Sequence, residues 1–155
     1  MPIYKSKVHS TSSPPPPAEP GRLVVSGPRV PVQVEVPTAL AKRLADEGKP
    51  VPAPATGWGL IDTGATSSAV SAKVVENLGV SPVGVVKVGT AGGRREQATY
   101  PIKLVLSTIG LSIEYGQVTG AELEGMDIVV LIGRDFLSRV LFIYDGPSAE
   151  YTLAL

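Results

Sequence analysis

One aspartate in this sequence arrives with the surroundings that proton-transfer chemistry needs. In Gly59-Leu60-Ile61-Asp62-Thr63-Gly64-Ala65-Thr66, two apolar residues deliver Asp62 to the start of a tight turn. A carboxylate held at a strand end on a rigid, dry scaffold can be brought against a second carboxylate. Thr63 offers a short hydroxyl to fix the turn across an interface, and Gly64 lacks the Cβ that would keep backbone, water or substrate at a distance. Turn chemistry alone also allows a plain Asx-type turn here, so the tripeptide does not specify an activity by itself. The remaining composition narrows the options. Cysteine is absent, which removes thiolate nucleophiles and thiolate metal sites, and the single histidine, His9, lies among Ser, Thr and Pro. A serine triad or a histidine-bound metal therefore has no base or ligand, and carboxylates are left for acid-base work. No metal and no cofactor is expected.

A second segment reads Met126-Asp127-Ile128-Val129-Val130-Leu131-Ile132-Gly133-Arg134-Asp135-Phe136-Leu137, an apolar strand that stops at a glycine and enters a short helix. Together the two segments resemble the retropepsin family, the retroviral-type aspartic proteases and their cellular relatives. In that family an apolar-apolar-Asp-Thr-Gly-Ala loop comes first and an apolar-apolar-Gly-Arg-Asp/Asn-x-Leu junction follows. Here both occur in order, with Gly133 71 residues after Asp62. The resemblance runs over roughly residues 30–155. It implies a mostly β, closed or folded barrel with two or three short helices and a β-hairpin flap, and an aspartic endopeptidase acting on peptide or protein substrates. Asp62, Thr63 and Gly64 would be the catalytic loop, Ala65 would line the substrate cleft, and Gly133, Arg134 and Asp135 would form the supporting motif.

Residues 88–97 fit the implied flap, because Gly92 and Gly93 permit positive φ at a hairpin tip; Ala91, Gly92 and Gly93 would then touch substrate. An ordinary exposed hairpin is the plainer reading of the same residues. A phosphate-cradling reading fails, since no Gly-Lys-Ser/Thr follows. Only one Asp-Thr-Gly is present, so one chain holds half a site and the economical solution is a C₂ homodimer with two Asp62 carboxylates on its axis. Residues 141–144 and 151–155 resemble the terminal strands with which the family builds its dimer sheet. One departure bears on this: where retroviral members often carry a second acidic residue after Asp-Thr-Gly-Ala, this chain has Thr66. Arg134 thereby loses that partner, leaving Asp135, Asp127 or backbone carbonyls.

The elements that must position these residues are short. Residues 1–20, with Pro14 to Pro17, favour extended chain and are read as a disordered tail ahead of a single domain over 21–155. Strands are expected at 23–26, at 30–36 by its apolar/polar alternation, and at 58–62, 83–88, 99–106, 111–119, 127–132, 140–145 and 150–155. The prolines of the second of these place it at a sheet edge. Helices are expected at 38–47, capped by Thr38 and stopped by Gly48, at 72–78, stopped by Gly79, and at 133–139. Ile109-Gly110 marks a hairpin turn.

The chain has 155 residues, enough for one buried core, and its 14 acidic and 14 basic residues balance. No field draws in nucleic acid or an anionic membrane. No secretory apolar core is present in residues 1–13 and no run is long enough to span a bilayer, so a cytoplasmic protein is expected. The alternative to a protease is a dimeric binding or scaffolding module on the same fold. An intact Asp62-Thr63-Gly64 favours the enzyme, because a scaffold needs no costly carboxylate pair.

Overall fold

Strict alternation of burial along one strand sets the frame of the molecule. In β2 (Arg29–Glu35), Val30, Val32 and Val34 are buried and the residues between them face outward, the two-residue period of a pleated strand. The computed structural model describes residues 3–7, 22–90 and 93–155. Around β2 the described elements are β1 (Ile3–Lys7), α1 (Arg22–Ser26), α2 (Thr38–Asp46), β3 (Ala55–Ile61), β4 (Ala69–Ser71), α3 (Ala72–Asn77), β5 (Gly84–Thr90) and β6 (Gly93–Leu106). A 3₁₀ turn at Ser107–Ile109 leads to β7 (Leu111–Ala121), β8 (Val130–Ile132), α4 (Arg134–Leu137), β9 (Leu141–Asp145) and β10 (Glu150–Ala154). The fold is mostly β, as the resemblance implies, with four short α-helices where two or three were expected.

Seven strands form one sheet in the order β2-β3-β8-β4-β7-β6-β5, and β2 also pairs with β6. That extra pairing closes six strands into a barrel, which removes their free edges, and leaves β5 extending from β6. Val30, Val34, Ile102, Leu104, Ile132 and Phe136 fill the interior. Pro31 therefore does not mark a sheet edge. It pairs with Trp58 on β3, while the β2–β6 register begins only at Gln33, so the missing proline N–H falls outside that second ladder.

A second sheet, β1-β10-β9, packs beside the barrel. Tyr151 of β10 stacks at 6.0 Å from Tyr4 and 6.3 Å from Phe142, and its hydroxyl donates to the Arg29 carbonyl of β2. Residues 3–7 are thus a strand rather than part of a disordered tail; residues 8–20 lie outside the described ones. Residues 23–26 are helical instead of extended, because one anchor suffices there: Leu23 is 1% exposed while Val24 and Val25 are 78% and 91% exposed. The turn ends on Gly27, at φ +67°, whose N–H returns to the Leu23 carbonyl.

Helix α2 begins after Pro37, not with Thr38 as its cap. The Thr38 N–H and hydroxyl both go to the Glu114 carboxylate. Its other end follows expectation, with Gly48 at φ +67° and the Gly48 and Lys49 N–H groups bonded back to Ala45 and Leu44. β3 is half-buried, with Trp58 turned to solvent, and β8 is shorter than expected. Among the described residues no helix is long and apolar enough to cross a membrane.

Candidate active site

The site is assembled where two parallel strands end together. β3 runs beside β8 in the register Gly59↔Val130, Leu60↔Leu131, Ile61↔Ile132, and β4 pairs with the other side of β8. The chain between β3 and β4, residues 62–68, must therefore arch over the end of β8. Asp62 opens that arch, its N–H donating to the Ile132 carbonyl at 2.9 Å. The Gly64 N–H donates to Asp62 Oδ1 at 2.8 Å, and the Ala65 N–H reaches the Asp62 carbonyl at 3.2 Å. The carboxylate is half-buried and held from within its own turn. A Cβ at position 64 would stand 3.0 Å from Oδ1, so a side chain there would crowd the carboxylate that accepts the Gly64 N–H.

Gly133, Arg134 and Asp135 fasten the arch from beneath. A Cβ on Gly133 would lie 2.5 Å from the Ser67 carbonyl carbon and 2.7 Å from its oxygen, although its φ of −91° is open to any residue. The need for glycine is one of space, not of backbone conformation. The Arg134 N–H donates to the Ala65 carbonyl at 3.0 Å and the Asp135 N–H to that of Thr66 at 3.3 Å. The Arg134 guanidinium donates to Thr66 Oγ1 at 2.9 Å and to the Thr63 carbonyl at 3.4 Å. Thr66, the departure from the family pattern, thus itself becomes a partner of Arg134. Neither acidic alternative does so: Asp127 lies 3.8 Å from Arg29, and Asp135 is engaged by Ser68.

Ser68 escaped the sequence reading and is the most connected side chain of the arch. Its hydroxyl donates to Asp135 Oδ1 at 2.7 Å and accepts the Gly133 N–H at 3.0 Å, while its own N–H donates to Asp135 Oδ1 at 2.9 Å. The Phe136 N–H completes the set on that oxygen. The sequence offered only a serine directly before the apolar Ala69-Val70; its burial, which makes a partner necessary, shows in the structure alone. Tyr115 lies near this network. Burial pushes its phenol pKa up, opposed by the neighbouring Ser68 hydroxyl, and its oxygen is buried without a hydrogen-bond partner in acceptable geometry.

Asp62, Gly64, Ala65, Gly133, Arg134 and Asp135 are therefore brought together. Thr63 is exposed in the same turn and contributes its carbonyl. The expected flap residues fare differently: Ala91 and Gly92 lie outside the described residues, and Gly93 opens β6 at φ +110°. β5 and β6 pair from Gly84↔Thr99 to Thr90↔Gly93, forming a hairpin. Between this hairpin and the arch runs a cleft of about 560 Å³, with Gly64 and Ala65 on one side and Val86, Val88 and Gln97 on the other. Among the described residues no cluster of three or more metal-ligating side chains occurs.

Several solved structures are similar to this chain at low identity. A retropepsin-like aspartic protease from Rickettsia conorii is 14% identical over 97% of this chain and 90% of that one, with a TM-score of 0.49. EIAV protease in complex with the inhibitor HBY-793 is 20% identical over 72% of this chain and 86% of that one, at 0.47. Simian foamy virus (mac) protease, solved in solution, is 16% identical over 70% and 91%, at 0.41. No curated protein sequence matches. The family match spans residues 58–139, just over half of the chain, from the strand that delivers Asp62 to the residues that follow α4. The chain belongs to the family described as "gag-polyprotein putative aspartyl protease", and is an aspartic-type endopeptidase.

Proposed function

We propose that Asp62 is the catalytic aspartate and that the enzyme hydrolyses peptide bonds as a homodimer, one Asp62 from each subunit. The observation that carries this reading is the Asp62 carboxylate itself, fixed by the Gly64 N–H at the rim of a cleft, in a chain with a single Asp-Thr-Gly. Two carboxylates facing each other across a two-fold axis do not both ionise readily, so the pair shares one proton. The ionised member takes a proton from a water whose oxygen bonds to the peptide carbonyl carbon, and the neutral member gives its proton to the carbonyl oxygen. Collapse of the tetrahedral intermediate breaks the C–N bond as the nitrogen takes the proton that the first carboxylate drew from water, and the second carboxylate takes a proton back from a hydroxyl of the intermediate, which leaves as the carboxylic acid. By symmetry either subunit's Asp62 can take either role.

In this reading the β5–β6 hairpin acts as the flap, Ala65 and Gly93 adjoin substrate, and Gly133, Arg134 and Asp135 hold the arch in place. The second copy docks on the β1-β10-β9 sheet, whose outer side leaves Leu141 56% and Ile143 49% exposed. An apolar sheet face of this kind suits an isologous contact. Cleavage of a mixed peptide library from acidic to neutral pH tests the proposal, with wild type and Asp62→Asn at matched concentration. Loss of at least about a hundredfold in the variant, and a specific activity that falls on dilution, are expected. A variant that cleaves as fast as wild type would overturn it.

A further inference from the structure

Gln97 and Thr119 face the cleft with nothing to bond. Both line it, and among the described residues neither side chain makes a hydrogen bond. Thr99 sits between them in the sheet. It lies two residues along β6 from Gln97, and its cross-strand neighbours are Thr119 on β7 and Gly84 on β5. Residues two apart on a strand, and residues directly opposite across a ladder, share a face. Gln97, Thr99 and Thr119 therefore stand on one face with Val86, which pairs with Gln97. Thr99 is only 2% exposed, and its hydroxyl is buried with no partner. The Gln97 amide and the Thr119 hydroxyl thus line the cleft beside Val86 and Val88, with Leu131 also in its lining, and the unpartnered Thr99 hydroxyl is buried behind them.

The chemistry of those groups discriminates among side chains. Amides and hydroxyls both donate and accept, so they are matched by a tip that does the same; a carboxylate only accepts and an ammonium only donates. Apart from Asp62 at the rim, the one charged side chain among the described residues along this cleft, Lys87, is exposed and lies 3.9 Å from Glu96, so an ionised tip would be desolvated with no buried counter-charge. We propose that this cleft selects a substrate side chain with an aliphatic stem and an uncharged amide tip, glutamine or asparagine. Gln97 and Thr119, backed by Thr99, are then specificity-determining residues. The inference rests on the cleft being the substrate site of the protease reading above.

The test is a set of fluorogenic octapeptides in which each position flanking the scissile bond carries Gln, Asn, Glu, Leu or Met in turn. For wild type, one position should favour Gln or Asn over Leu and Met by about three- to tenfold in kcat/KM, the worth of one or two hydrogen bonds. Gln97→Leu combined with Thr119→Val should reverse that order, and Gln97→Glu, which keeps the length but removes the donor, should lessen it. Thermal melts establish that each variant is folded. Leu or Met equal to the amides at every position in wild type, or an unchanged order in the folded variants, would overturn the proposal. Calorimetric binding of the same peptides to Asp62→Asn separates the two readings. Amide-selective binding without any wild-type cleavage keeps the selectivity and sinks the catalytic reading, cleavage without amide preference does the reverse, and neither sinks both.

Discussion

Thr66 occupies the position from which an acidic partner for Arg134 was expected, and the guanidinium takes weaker acceptors in its place, the Thr66 hydroxyl and the Thr63 carbonyl. Thr66→Asp should supply the missing carboxylate. Because the contact is exposed, the gain should be at most about 1 kcal/mol and should shrink in high salt, which thermal melts at two ionic strengths would read. Gly133→Ala should act in the opposite direction: its methyl would press on the Ser67 backbone, forcing the arch to shift at a cost of about 2 kcal/mol or more by urea unfolding. Tyr115 gives a pH signature. Its folded pKa lies above the ordinary 10.0, so the folded state holds its proton longer and stability falls as pH rises from about 10 through the raised value. Tyr115→Phe should flatten that alkaline loss while leaving stability at neutral pH within about 1 kcal/mol, as it removes a hydroxyl that has no partner. The turn at Asp62, Thr63 and Gly64 was legible because the three residues are contiguous and its physics is local. Backbone carbonyls were among the partners expected for Arg134, and the Thr63 carbonyl is one; Ser68 and the Thr66 hydroxyl were not legible, since they depend on two segments about 67 residues apart meeting at atomic distances.

At the scale of elements, periodicity was a sound guide wherever one face of a strand is buried, as in β2, and glycines marked where helices and hairpins end, as at Gly48, Gly79 and Gly110. It failed where a single residue sets the structure. Leu23 anchors one helical turn that carries no repeating pattern, and Ile3–Lys7 becomes a strand through its pairing with β10, which nothing in its own polar sequence announces. Pro31 misled for a related reason: a strand can be paired on both sides yet have one half open, and only the register reveals which half. The bond from the Tyr151 hydroxyl to the Arg29 carbonyl ties the small sheet to the barrel. Tyr151→Phe should cost about 1 kcal/mol in chemical denaturation and leave the barrel itself intact.

At the scale of the whole molecule, the proposed dimer gives a concentration-dependent enzyme. Ile143→Lys places a charge on the exposed face of β9 without touching the arch or the cleft, so the variant should stay folded, its melt lowered only by the stabilisation that dimerisation gives wild type. Sedimentation should find the variant monomeric at concentrations where wild type is a dimer, with activity lost in parallel. A further consequence comes from the parallel pairing of β3 with β8. Asp62 takes its backbone partner from Ile132, so the arch has no floor until a segment 70 residues later has been made. At about 5 to 20 residues per second, a ribosome needs roughly 4 to 14 s to supply it. Throughout that interval the nascent chain carries Asp62 without the Ile132 carbonyl that its N–H will bond.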